Sequence, residues 1–119
     1  MNNILLIDDN SNLRKILSGF LTDYGYQVSE AFDWEMGIEL LENDNKYKVV
    51  ITDICMPKKN GNDVARHIRR KSKINRVKIV GITGSIEYAE PELFDHLIPK
   101  PFNISDIIGV ITGRGEYTL

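Results

Sequence analysis

Short apolar segments alternate with longer amphipathic stretches along this chain. The apolar segments are residues 4–7, 49–51, 77–82 and 97–98, and residues 27–32 form a fifth, more mixed segment. Continuous apolar runs are typical of parallel strands that helices cover on both faces. The pattern therefore predicts five strands, and the mixed composition of the fifth segment favours a position at an edge of the sheet.

The stretches between these segments carry apolar residues at helical spacing. The first has an i, i+3, i+4, i+7 pattern that predicts one apolar helix face, made by Leu13, Ile16, Leu17, Phe20, Leu21 and Tyr24. Asn10 or Ser11 is expected to cap this helix, and Gly25 is expected to end it.

Three more helices and one irregular segment are predicted further along. The second helix is expected over residues 34–42 with Asp33 as its cap, the third follows Gly61, and Asn103 caps the last. The residues that these last two helices should bury are Val64, Ala65, Ile68, Ile104, Ile107, Ile108 and Ile111. Residues 86–94 predict a short or irregular helix, because Pro91 interrupts them.

Strand and helix therefore alternate five times, which predicts an α/β domain with an open parallel sheet and helices on both faces. We expect residues 1–119 to form a single domain, with residues 113–119 as a flexible polar tail. Met1 directly precedes the first strand, and we expect it to be a natural N-terminus.

Composition narrows the class of protein. Hydrophobic residues make up 42% and charged residues 27% of the 119 positions, as in ordinary soluble domains. The net charge of −2 does not favour nucleic-acid binding, and the basic residues between 66 and 78 are interpreted as a solvated surface. No apolar run approaches the ~20 residues of a membrane span. The single Cys55 cannot form an internal disulfide, so we expect a cytoplasmic protein.

Polar residues with a common chemistry follow the predicted strands. Asp8 and Asp9 end the first, Asp53 the third, Thr83 the fourth and Lys100 the fifth. In open parallel sheets, ligands bind beyond the carboxyl ends of the strands. Three carboxylates in one crevice repel each other, so a cation is expected among them, and all-oxygen ligands favour Mg²⁺ (or Mn²⁺).

Asp53 is the best candidate nucleophile at this rim, because carboxylates form acyl phosphates by in-line attack on phosphorus. The cation and Lys100 would offset the charge of an incoming phosphoryl group. The Thr83 hydroxyl and the Gly84 N–H are expected to donate hydrogen bonds to its oxygens.

Four motifs, LLIDDN, VVITDICMPKKNG, IVGITG and IPKPF, occur here in order. In sequence and spacing they resemble the motifs of response-regulator receiver domains, including the chemotaxis regulators. The resemblance covers essentially the whole chain. It implies a doubly wound, flavodoxin-like (βα)5 fold with strand order 2-1-3-4-5.

The resemblance also implies residue roles. Asp53 would be the phosphoacceptor, Asp9 a direct metal ligand, Asp8 a ligand through water, and the Cys55 backbone carbonyl a further ligand. Lys100 would pair with Asp53 or its phosphate. The Thr83 hydroxyl would act as the switch, and the peptide bond before Pro101 would be cis. The phosphoryl donor would be a histidine kinase or a histidine phosphotransfer protein, and the output a contact with a downstream protein, with no nucleic acid or membrane bound.

The sequence departs from the family at three places. Leu97 stands where the family often has an aromatic residue, so Leu97 or His96 is expected to take over its part in the switch. The stretch from Thr83 to Lys100 is shorter than usual. Pro99 lacks an N–H, which places the fifth strand at a sheet edge.

Two other classes of function are compatible with part of this pattern. An aspartyl-phosphate phosphohydrolase commonly has a second acid two residues after the nucleophile, and Cys55 stands there. A receiver-like interaction module that is never phosphorylated usually lacks the acidic pair, the phosphoacceptor or the lysine. We therefore expect a switch that catalyses only its own phosphorylation and dephosphorylation, not an enzyme with a turnover substrate.

Overall fold

The computed structural model describes residues 3–44, 46–55, 60–71 and 76–113. Five parallel strands form one sheet in the order β2-β1-β3-β4-β5. Their bounds are Asn3–Ile7 (β1), Gln27–Ala31 (β2), Tyr47–Asp53 (β3), Lys78–Thr83 (β4) and His96–Pro99 (β5). The predicted strand order is confirmed, and so is the edge position of β2 and of the proline-containing β5.

Four helices connect or follow the strands: α1 (Ser11–Asp23), α2 (Trp34–Asn43), α3 (Gly61–Arg70) and α4 (Ile104–Thr112). The side chains of Asn10 and Asp33 accept hydrogen bonds from the Leu13 and Met36 backbones, so both predicted caps are confirmed. Gly25 follows the end of α1 with a φ of 96°, a left-handed conformation that favours glycine.

The helices cover the sheet on both faces. Buried residues of α2 and α3 pack on one face, and those of α1 and α4 pack on the other. β1 and β3 lie in the middle of the sheet and bury nearly every side chain on both faces. This arrangement explains why their sequences are continuous apolar runs.

Two predicted apolar faces are only partly buried. On α1, Leu17 and Leu21 are buried, but Ile16, Phe20 and Tyr24 are 57%, 48% and 56% exposed. A helix on one face of a sheet buries a narrower stripe than this six-residue pattern predicts, so the flanking residues face solvent.

On α4, the buried residues are Ile107 and Val110, whereas Ile104, Ile108 and Ile111 are half-buried. The four predicted isoleucines therefore all pack against the core, Ile107 fully buried and the other three partly buried. Val64, Ala65 and Ile68 of α3 are buried, as predicted.

The connection between β4 and β5 contains two short 3₁₀ turns, Ile86–Tyr88 and Pro91–Leu93. The predicted short, irregular helix is thus confirmed.

The predicted tail falls almost entirely on residues 114–119, which lie outside the described residues. Within the described part of the chain, no helix is both long and apolar enough to cross a bilayer.

Candidate functional site

The carboxyl ends of β1 and β3 lie side by side in the sheet and bring three carboxylates together. Asp8, Asp9 and Asp53 each have an oxygen within 4.8 Å of the others'. Asp8 and Asp53 are 4% and 7% exposed, whereas Asp9 faces solvent. The sequence-predicted acidic cluster is therefore present, with an open side at Asp9.

The Asp53 carboxylate has a different partner on each oxygen. Lys100 Nζ lies 3.3 Å from Oδ2, and the Cys55 backbone N–H donates to Oδ1 at 3.1 Å. The start of α3 lies against the end of β3, since Gly61 donates its N–H to the Ile54 carbonyl at 2.8 Å. A Cβ on Gly61 would lie only 2.7 Å from the Asp53 carbonyl oxygen, so the close packing of α3 on β3 requires glycine.

The Asp8 carboxyl has a raised pKa. Burial raises the pKa of its carboxyl to about 6, and the nearby Asp53 charge adds to the rise, although the Asn10 backbone N–H opposes it from 2.9 Å. A carboxylate that is costly to ionise among other acids is stabilised in its charged form by a bound cation.

Arg14 positions the backbone beside this acid, a role that the sequence analysis missed. Its Nη1 donates to the Asp8 carbonyl at 2.7 Å, while its Nε donates to Glu30 Oε1 at 3.0 Å. No local motif signals the contact, because Glu30 lies on β2, sixteen residues further along the chain.

Thr83 ends β4 and is 1% exposed. Its hydroxyl donates to the Ser85 carbonyl at 3.0 Å and accepts from the Ser85 N–H at 2.9 Å. The Thr83 carbonyl accepts from the Lys100 N–H at 2.8 Å, which ties the two strand ends together. The Lys100–Pro101 peptide bond is cis. Gly84 is not sterically required, since a Cβ there would meet only Lys100 Cδ, at 4.0 Å.

The other two residues of the predicted switch lie on β5. Leu97 is 5% exposed and pairs with Gly81, where an added Cβ would lie 2.9 Å from the Leu97 and Phe94 side chains. Leu97 is therefore a tightly packed core residue. His96 is half-buried, and its Nδ1 is buried without a hydrogen-bond partner among the described residues.

The donor set fits a hard divalent cation. Three carboxylates supply oxygen ligands only, they are close enough to share one ion, and the exposed Asp9 leaves room for water ligands. Mg²⁺ prefers one or two carboxylates together with several waters. Lys100 neutralises part of the remaining charge from the other side of Asp53.

An apolar groove of about 520 Å³ lies beside Lys100. Its walls come from α1 and from the loop after β5, and they are formed by Leu13, Ile16, Leu17, Phe20, Lys100, Pro101, Phe102, Asn103 and Ile104. Lys100 belongs to both the groove and the ion pair with Asp53, so this one residue links the groove to the candidate phosphoacceptor.

These features coincide with a known family. Residues 4–112 match the response regulator receiver domain, and the chain belongs to that family. A solved structure of the response regulator protein TrrA from Thermotoga maritima, in complex with Mg²⁺-BeF, is similar with a TM-score of 0.86 and 30% identity. That match covers 97% of this chain and 100% of TrrA.

Curated relatives include the uncharacterized transcriptional regulatory protein YcbL of Bacillus subtilis, 33% identical over 87% of this chain and 46% of the relative. The transcriptional regulatory protein CpxR of Escherichia coli is 32% identical over 93% of this chain and 48% of the relative. The chain therefore spans about half the length of the curated relatives it matches. A second solved structure shows TrrA in complex with the histidine kinase ThkA. Its TM-score to this chain is 0.84 and its identity is 30%, and the match covers 96% of this chain and 98% of TrrA.

Proposed function

We propose that Asp53 accepts a phosphoryl group from a phosphohistidine in a reaction that needs Mg²⁺ or Mn²⁺, and that the modified domain then changes its binding to a downstream protein. The observation that carries this proposal is the clustering of three carboxylates within 4.8 Å of one another, with the Lys100 ammonium 3.3 Å from Asp53. Asp9, Asp53 and the Cys55 carbonyl would hold the cation, and Asp8 would act through water.

The chemistry of the transfer is nucleophilic. An Asp53 carboxylate oxygen forms a bond to phosphorus while the donor's phosphorus–nitrogen bond breaks, and the electron pair stays on the donor imidazole. The cation supplies charge neutralisation for the phosphoryl oxygens. Lys100 Nζ is already directed at Asp53 Oδ2 and can follow the added phosphoryl group.

The switch would begin at Thr83. Its hydroxyl donates its one proton to the Ser85 carbonyl, so a hydrogen bond to a phosphoryl oxygen requires that contact to break. Phosphorylation therefore exchanges a local turn contact for a contact with the phosphate. The Gly84 N–H lies next along the chain and would donate to the same group.

The donor protein would dock on the apolar groove beside Lys100. A histidine kinase or phosphotransfer protein must bring its phosphohistidine to Asp53, and the groove includes Lys100, the ion-pair partner of that residue. Exposed Ile16 and Phe20 border it on α1. We expect the domain to meet this donor in the cytoplasm. The product of the transfer is the phosphorylated domain itself, which acts as a signal, and not a released compound.

The test uses Mg²⁺ and acetyl phosphate as a small donor, with intact mass as the measurement. We expect a single phosphoryl adduct that Asp53→Asn abolishes and that Asp23→Asn, at the end of α1, leaves unchanged. Continuous release of phosphate without an adduct would contradict the switch in favour of a phosphohydrolase. Absence of both an adduct and Mg²⁺-dependent beryllofluoride binding would favour an interaction module that is not phosphorylated.

A further inference from the structure

Asn62, in the first turn of α3, holds the backbone of the segment between β4 and β5. It is a polar residue only 4% exposed. Its Nδ2 donates to the Tyr88 carbonyl at 2.6 Å, and its Oδ1 accepts from the Glu90 N–H at 2.9 Å. One side-chain amide thus pairs with the backbone on both sides of Ala89, much as a neighbouring strand would.

The same face of α3 holds the segment at further points. Arg66 forms an ion pair with Glu90. Arg69 donates to the Leu93 carbonyl at 3.2 Å and to Asp95 Oδ2 at 2.8 Å. Residues 62, 66 and 69 follow helical spacing, so α3 contacts the segment from Tyr88 to Asp95 along one continuous line.

The beginning of the segment has a different anchor. The Ser85 N–H and carbonyl are both bound by the Thr83 hydroxyl. The Ser85 carbonyl also accepts from the Tyr88 N–H at 3.1 Å, within the first 3₁₀ turn. The anchor at Ser85 therefore depends on the candidate switch residue, whereas the anchor at Glu90 depends on α3.

We propose that Asn62 is a positioning residue that confines the phosphorylation-dependent change to residues 84–87 and keeps residues 88–95 fixed on α3. This inference rests on the proposed function, because phosphorylation is what draws the Thr83 hydroxyl from Ser85. The surface that responds then carries Ile86, 40% exposed, and the exposed Glu87. Exposed Tyr88 belongs to the fixed part.

Two backbone amides report on the two anchors separately, because each donates to a different side chain. We would measure hydrogen-exchange rates of the Ser85 and Glu90 amides by NMR in the unphosphorylated protein. Thr83→Val should speed exchange at Ser85 on the order of fivefold, the effect of one lost hydrogen bond, and leave Glu90 unchanged. Asn62→Leu should give the reverse pattern.

Two further variants separate positioning from general loosening. Asn62→Asp keeps an acceptor for the Glu90 N–H but loses the donor to the Tyr88 carbonyl, so Glu90 should stay protected while the Tyr88 carbonyl resonance shifts. Tyr47→Phe removes a hydrogen bond to Ser29 on β2, at the other side of the sheet, and should change neither amide. Faster exchange at Glu90 in Thr83→Val, or full protection of Glu90 in Asn62→Leu, would overturn the proposal.

The final arm adds Mg²⁺ and beryllofluoride. In the wild-type protein, resonance changes should run from Gly84 to Glu87 and stop before Glu90, whereas in Asn62→Leu they should extend through Glu90. Changes that reach Glu90 in both proteins would also overturn the inference. If beryllofluoride changes nothing near Asp53, the proposed function fails, and with it the proposed control of a phosphorylation-dependent change.

Discussion

α1 and α3 lie on opposite faces of the sheet and differ in what their side chains contact. α1 exposes the apolar side chains Ile16 and Phe20 beside the groove. α3 directs Asn62 and Arg69 at backbone groups of its own chain. An exposed apolar surface is typical of a site that another molecule covers, whereas polar groups bound within the chain are already satisfied. The comparison supports the proposals that a partner docks on the α1 face and that the α3 face exerts internal control.

The largest expected effect concerns the packing of the two helices. Gly61→Ala places a Cβ 2.7 Å from the Asp53 carbonyl oxygen and should lower the free energy of unfolding by about 3 kcal/mol. Gly19→Ala on α1 meets nothing within 4 Å and should instead raise it by about 0.5–1 kcal/mol. Urea unfolding of both variants measures this, and equal effects would contradict the close approach of α3.

The docking surface of α1 is tested with a phosphorylated donor protein. Ile16→Asp and Phe20→Asp should slow transfer from the cognate kinase on the order of a hundredfold, because each buries a charge in the apolar interface. Tyr24→Asp is a matched control, since Tyr24 is equally exposed but lies at the far end of α1. Phosphorylation by acetyl phosphate should stay normal in all three, and a slowing there would indicate damage to the site.

The acidic cluster between the two faces should show a pH-dependent stability. Burial raises the pKa of Asp8 from 3.8 to about 6, so the folded protein without a cation holds this proton more tightly than the unfolded chain does. The stabilising contribution is complete below about pH 4 and is lost as the pH rises through about 6. At pH 7.5, Asp8→Asn should therefore stabilise the cation-free protein by about 2 kcal/mol.

Two controls sharpen this prediction. Asp9→Asn, at an exposed position, should change the stability of the cation-free protein by less than about 0.5 kcal/mol. Mg²⁺ should stabilise the wild-type protein at pH 7.5 and have much less effect on Asp8→Asn. A wild-type stability that does not fall between pH 4 and pH 7, relative to Asp8→Asn, would contradict the raised pKa.

The smallest expected effect on stability concerns two neighbouring arginines of α3, of which Arg69 is hydrogen-bonded and Arg70 is exposed. Arg69→Met loses hydrogen bonds to the Leu93 carbonyl and Asp95 and should cost about 1–2 kcal/mol of unfolding free energy. Arg70→Met, at the next and exposed position, should cost less than about 0.5 kcal/mol. Equal losses in thermal or urea unfolding would show that α3 does not hold the segment through Arg69.

Sequence reasoning was most successful where chain order determines position. The carboxyl ends of parallel strands share one edge, so Asp8, Asp9 and Asp53 could be placed together from the strand pattern alone. Contacts of Asn62 with residues 26 and 28 positions away could not be predicted, because no periodicity encodes how an irregular segment meets a helix. Nor does helical spacing show how wide a stripe the sheet covers, so the pattern predicts Ile16 and Phe20 on the packing face although both are exposed.

The account depends on Asp53 as the residue that carries the phosphoryl group. After reaction with Mg²⁺ and acetyl phosphate, borohydride reduces an aspartyl phosphate to homoserine, which peptide mass spectrometry locates. We expect homoserine at position 53 alone, and only when the divalent cation is present. In Lys100→Met, the homoserine should be lost or greatly reduced. Homoserine at another aspartate, or none at all despite a bound cation, would contradict the account.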